Sequence, residues 1–157
     1  MKLLKTSEKD GYAKIRIDNI DDLWHLKDIF TPGANVRALT QRTKIDGREK
    51  KTLTLTLEVE KVEYQNDRLR VTGEMTQADD EVEQGYHTFN FEPEDEFEIW
   101  KDFSQSEWQD LREAESKDSY KVLFVLVEKG AADLYLVRES GISDLSKLQQ
   151  NIPGKLY

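Results

Sequence analysis

Cysteine is absent from the 157-residue chain, and proline occurs only three times and histidine twice. Without cysteine there is no disulfide framework and no thiolate zinc site. The longest apolar run, Val122–Val127, is six residues, too short for a helix that spans a bilayer. Met1–Asp10 bears Lys2, Lys5 and Lys9 around a two-leucine run, which is no secretory signal. A cytoplasmic protein without a membrane segment is the expectation. Catalytic signatures are also missing: there is no Gly-x-Ser-x-Gly, no Walker loop, no His-Glu-x-x-His and no dinucleotide fingerprint. What is present is charge and strand patterning. Lys and Arg number 23 against 32 Asp and Glu, a net of −9, with 37% hydrophobic residues to build a core.

The charge is segregated. Arg37 to Lys51 holds six bases (Arg37, Arg42, Lys44, Arg48, Lys50, Lys51) against Asp46 and Glu49, a local +4. Glu74 to Trp100 holds ten acids and neither Lys nor Arg. An acidic total argues against nucleic acid, but phosphate responds to the local field, so the basic stretch can bind it. The bland alternative for both stretches is a solvated face.

Tyr12–Asp18 alternates with Ala13, Ile15 and Ile17 on one side, which predicts a half-buried strand. Asn19-Ile20-Asp21-Asp22 then caps a short helix over Leu23–Phe30, stopped by Thr31-Pro32-Gly33. The strongest strands are Asn35–Ile45 and Lys51–Tyr64, joined at an Asp46-Gly47 turn. Leu53, Leu55, Leu57 and Val59 alternate with Thr and Glu, and then the apolar phase flips to Val62 and Tyr64. A one-residue flip predicts a β-bulge, as a closing barrel requires. Short strands follow at Leu69–Val71, Tyr86–Phe91 and Phe97–Phe103. Ser104-Gln105-Ser106-Glu107 has capping-box spacing ahead of a helix over about 105–116, whose charged end, Arg112–Asp118, reads as a linker. Val122–Val127 and Leu134–Val137 then form an apolar hairpin of the kind buried on both faces. No helical stripe follows to cover it, so it reads as the opening of a second domain and the chain as a fragment.

The histidines, His25 beside Trp24 and His87 beside Tyr86, suit hydrogen-bonded structural groups better than catalysts. Glu92, Glu94, Asp95, Glu96 and Glu98 lack the register of a calcium loop and fit a solvated turn. Asp21 and Asp22 could hold a water-activating divalent cation, although capping the helix at Leu23 explains them more simply. The basic hairpin is the most informative element. Long cations on a protruding ribbon can follow phosphates in a narrow channel. No aromatic interrupts Arg37–Lys51, so backbone contact rather than base stacking is expected there.

Asp22-Leu23-Trp24-His25, Val36–Arg42 and Lys51–Glu60, followed by Leu69–Gly73, Tyr86-His87-Thr88 and Asn151–Lys155, together resemble the N-terminal part of Pelota proteins, with an archaeal leaning. The resemblance implies a mainly-β fold: an Sm-like bent β-barrel over residues 1–118, with a short leading helix and a C-terminal helix. A β-hairpin in 119–157 would open an incomplete central domain. It also implies a ribosome rescue and mRNA surveillance factor of the no-go-decay type, monomeric at full length. Such a factor enters the A site of stalled ribosomes with a translational GTPase of the elongation-factor type, contacted mainly by other domains. Its N-terminal domain faces the decoding centre and mRNA channel, with Arg37, Arg42, Lys44, Arg48, Lys50 and Lys51 as the RNA-binding residues. The alternative is a divalent-metal-dependent endoribonuclease acting through Asp21 and Asp22. A third possibility, independent of the family, is an acidic protein-interaction module over Glu74–Trp100.

Overall fold

The computed structural model describes residues 1–43, 50–77, 85–116 and 120–152, with the backbone alone at 41–43, 50 and 51. The chain divides into two compact units, Met1–Lys117 and Asp118–Tyr157. The first unit runs β1 (Lys2–Ser7), β2 (Tyr12–Arg16), α1 (Ile20–Leu26), β3 (Asn35–Thr43), β4 (Lys50–Gln65), β5 (Arg68–Gln77), β6 (Tyr86–Phe91), β7 (Glu96–Trp100) and α2 (Gln105–Ser116). Its seven strands form one sheet, mixed in sequence order as β1-β2-β7-β3-β4-β5-β6, with antiparallel pairing throughout. The fold is mainly β, as the alternation predicts.

The predicted phase flip in β4 is a register slip. Val59 lies opposite Gly73 and Lys61 opposite Thr72, so Glu60 is the extra residue. The slip carries Leu53, Leu55, Leu57 and Val59 into the core and still lets Val62 and Tyr64 pack against it. Glycine at 73 is required by proximity: a Cβ there would sit 1.8 Å from the Glu58 carbonyl oxygen. The sheet curls enough for rings on distant strands to meet. Phe91 on β6 and Phe97 on β7 lie 5.1 Å apart between centroids, and Phe30 lies 4.9 Å from Phe97. Among the described residues no ladder joins the two edge strands, β1 and β6.

Several boundaries differ from the sequence expectation. The first helix spans Ile20–Leu26 rather than reaching Phe30. Leu26 accepts from both Ile29 N and Phe30 N, a tight turn that swings Ile29 and Phe30 into the core. Pro32 disfavours a helical Thr31, so the chain had to leave the helix before that point. The strand at 97–103 is shorter, Glu96–Trp100, because Lys101 turns inward. Its ammonium donates to the Ile29 carbonyl at 3.2 Å and pairs with Glu107 at 2.5 Å. The predicted capping box of α2 is present: Ser104 N donates to Glu107 Oε2, and Glu107 N to Ser104 Oγ. This helix stays regular to Ser116, so residues 112–116 are helical rather than linker, and Arg112 pairs with Glu8. The strand β1 had no alternating signal. The expected Asp46-Gly47 turn lies outside the described residues.

The second unit is a three-stranded sheet of β8 (Val122–Glu128), β9 (Ala131–Arg138) and β10 (Gly141–Gln149), with β9 central. The apolar run of β8, expected to be buried on both faces, is exposed along its whole length. Among the described residues of this unit no helix or further strand is present to form a second layer over it. The third strand, β10, was hidden because its sequence, GISDLSKLQ, mixes polar residues through a slip between Asp144 and Ser146.

Two outcomes are expected. Leu55 is fully buried, and truncating such a leucine costs about 2–5 kcal/mol, so Leu55→Ala should lower the melting temperature sharply while Thr54→Ala changes it little. Equal small shifts at both positions would contradict the strand phase. The second concerns acid. Burial raises the Glu107 carboxyl pKa, but hydrogen bonds from Lys101 and Ser104 and the Lys101 charge outweigh it, and the net shift is downward. A depressed carboxyl stabilises the fold above its unfolded pKa, about 4.3, and that stabilisation fades as pH falls through the folded value. Glu107→Gln should therefore be less stable than the parent at pH 7 in urea unfolding. The gap should close in acid; a gap constant with pH would refute the assignment.

Candidate RNA interface

The strands β3 and β4 pair in unbroken register from Asn35 opposite Glu58 to Thr43 opposite Lys50, and beyond the Ala38–Leu55 rung, where β7 and β5 no longer flank them, they run as a two-stranded ribbon. Three of the six basic candidates, Arg42, Lys50 and Lys51, thus occupy the last two described rungs of this ribbon. Lys44 and Arg48 lie outside the described residues. Arg37 belongs to the body of the sheet. It sits opposite Thr56 on β4 and Glu98 on β7, half-exposed, with Nη1 3.8 Å from Glu98 Oε2. From Arg37 to Arg42 the strand advances about 17 Å at roughly 3.4 Å per residue. The described basic candidates therefore fall in two places, Arg37 in the sheet body and the other three at the last described rungs.

The root of the ribbon is braced by a contact that the sequence did not disclose. His87 Nε2 on β6 lies 3.1 Å from Thr40 Oγ1 on β3, although two strands intervene in the sheet, and its ring meets Phe89 edge-on. This is the structural, hydrogen-bonded histidine expected from sequence. Its partner could not be named from a linear pattern, because the contact depends on the sheet's curl.

Asp21 and Asp22 are both buried at the start of α1. Asn19 caps the helix by accepting from Asp22 N, while Asp22 Oδ2 accepts from Asn19 N at 3.0 Å and Asp18 N at 2.8 Å. The same oxygen meets the Met1 ammonium at 2.6 Å. The sequence indicated the cap but not the ammonium, which β1 brings alongside. A divalent cation at Asp22 would have to displace this ammonium and two N–H donors, so the Asp22 carboxylate does not fit a metal. Among the described residues no group of three His, Asp or Glu side chains converges as a cation site. In the acidic turn, Asp95 Oδ2 accepts from Glu92 N at 2.8 Å, and the Asp95 carboxyl pKa is raised, chiefly by burial. That side chain closes a turn. Among the described residues no helix is long and apolar enough to cross a membrane.

The chain's relatives agree with this architecture. Residues 1–115 match the family described as the Pelota N-terminal domain. A protein pelota homolog of Methanococcus maripaludis is 32% identical over 168 residues, which cover 99% of this chain and 48% of that protein. The chain thus spans about half the length of the relatives it matches. The crystal structure of the Thermoplasma acidophilum Pelota protein is similar in fold, with a TM-score of 0.72 at 18% identity, covering 95% of this chain and 44% of that one. Ribosome-bound archaeal Pelota, described together with ABCE1, has a TM-score of 0.62 at 29% identity, covering 95% and 46%.

The Asp22 geometry yields a direct test. Neutralising one member of a buried ion pair typically costs on the order of 3 kcal/mol. Asp22→Asn should shift the urea midpoint by a corresponding amount without changing the slope of the transition. An unchanged midpoint would mean that the ammonium and the cap contribute nothing.

Proposed function

The chain belongs to the Pelota family, and on that premise we propose that it is the RNA-facing N-terminal part of a cytoplasmic ribosome rescue and mRNA surveillance factor. In this reading it enters the A site of a stalled ribosome, as in no-go decay. The β3–β4 ribbon reaches the decoding centre and mRNA channel, and a translational GTPase is engaged mainly through other parts of the protein. The observation that carries the reading is the ribbon itself: a +4 stretch on a −9 chain, drawn out along two paired strands. A ribbon two strands wide can enter a channel that excludes the sheet body, and its cations meet phosphate without reading sequence. The ribosome-bound relative supports the same partner.

The endoribonuclease alternative is weaker. It relies on Asp21 and Asp22, and the Asp22 carboxylate already serves a helix cap and an ammonium. The domain acts in this reading by binding, not by cleavage.

Replacing Arg42, Lys44, Arg48, Lys50 and Lys51 with Ala should weaken association with stalled ribosomes while leaving the melting temperature nearly unchanged. Each lost phosphate contact should flatten the log–log salt dependence by about 0.7–0.9. A folded five-fold variant with unchanged affinity and unchanged salt slope would overturn the ribbon's role.

A further inference from the structure

A groove lies on the outward face of the large sheet. There β7, β3, β4 and β5 run side by side, and Asn35, Arg37, Thr56, Thr76, Gln77 and Trp100 line an open groove of about 450 Å³. The groove forms at another register slip. Thr56 pairs with Gln77 and Leu57 with Met75, leaving Thr76 as the extra residue, with its hydroxyl 3.4 Å from the Thr56 carbonyl. Bulges of this kind re-aim side chains and interrupt the flat surface of a sheet.

One wall is aromatic. The Trp100 ring stands 5.2 Å from that of Tyr12, inclined by 45°. Tyr12 is held by its hydroxyl, which donates to Glu98 Oε1 at 3.2 Å, and by Lys5 Nζ, 5.8 Å from its ring centre. The other wall is Arg37. Among the described residues its one ionic contact is with Glu98 at 3.8 Å, looser than Lys14–Glu96 at 3.3 Å and Arg16–Asp18 at 2.8 Å. Its side chain is 51% exposed. Among the described residues the lining holds one aromatic ring and no aliphatic side chain. It offers a π-face, a loosely held guanidinium and a row of amide and hydroxyl groups, the chemistry that single-stranded RNA uses.

We infer that this groove binds a nucleotide of single-stranded RNA, its base stacked on Trp100 and its phosphate on Arg37. The inference takes RNA as the partner class from the ribosome reading above, and extends it from backbone contact on the ribbon to base contact on the sheet. Both surfaces draw on β3, which carries Arg37 in the sheet body and Arg42 near the end of the ribbon. Glu98 is the built-in competitor: it holds Arg37 until a phosphate replaces it.

The test uses the 157-residue chain and a ten-nucleotide oligoadenylate, following the Trp100 indole N–H by NMR. Binding should move that resonance. Trp100→Ala should weaken the affinity by roughly 5- to 150-fold, the range for loss of one stacked base, while Trp100→Phe stays within a few-fold of the parent. Glu98→Gln should tighten binding, and Arg37→Ala should weaken it with a shallower salt dependence. Inorganic polyphosphate, which has no base, should bind the parent and Trp100→Ala equally. Oligoadenylate that binds without moving the indole N–H overturns the inference, as does unchanged affinity in a folded Trp100→Ala variant. An acid-rich peptide that moves the same resonance and displaces the RNA would also overturn it, assigning the groove to a protein partner. Should Trp100→Ala fail to fold, the indole shift and the Glu98→Gln result decide. The ribosome reading is tested separately by the five-fold ribbon variant. A five-fold variant with unchanged ribosome affinity, beside a Trp100→Ala variant that loses oligoadenylate, overturns the ribbon claim alone; a five-fold variant that loses ribosome binding, beside a folded Trp100→Ala variant with unchanged oligoadenylate affinity, overturns the groove alone.

Discussion

The close approach of Gly73 to the Glu58 carbonyl holds the rest of the large sheet in place. The 16-residue strand β4 pairs with β3 on one side and β5 on the other, so every strand from β7 to β6 takes its position from it. A straight strand with period-2 alternation would have turned Val62 and Tyr64 away from the core that Leu53–Val59 occupies. The slip at Glu60 reverses the phase, and only a residue without a side chain lets β5 follow it so closely. The curl that results brings Phe91 to Phe97 and His87 to Thr40.

Around that strand, the connecting segments are fastened by buried charge. Asp22 gathers two backbone N–H groups and the Met1 ammonium at the start of α1. Lys101 links the end of β7 to the Ile29 carbonyl and to Glu107 in the first turn of α2. Both fastenings are intramolecular, paired and hydrogen-bonded, the condition under which a buried charge is tolerated. Asp22, suggestive of catalysis in the linear chain, has its carboxylate taken up by this fastening.

The parts of the fold legible in the sequence are those where one face is buried along a whole strand. The Leu/Thr alternation of 53–59, its flip at 60, the Ala13–Ile15–Ile17 face and the Ser104–Glu107 box all declare themselves locally. The strands β1 and β10 do not, because edge strands with little burial impose no period on their residues. The end of α1 was misjudged because Ile29 and Phe30 are apolar for the core's sake, not for the helix's. The basic ribbon could be read from charge alone. The groove beside it could not, since Tyr12, Arg37, Thr76 and Trp100 come from four separate strands and meet only through the sheet order β2-β7-β3-β4-β5.

The continuity of β4 also has a mechanical meaning. Its hydrogen bonds to β3 and β5 lie across the strand, so a force applied along its length loads many of them together in shear instead of parting them singly. A push or pull arriving at the Lys50 end is therefore carried intact through the ribbon to the bulge at Glu60, deep in the sheet body.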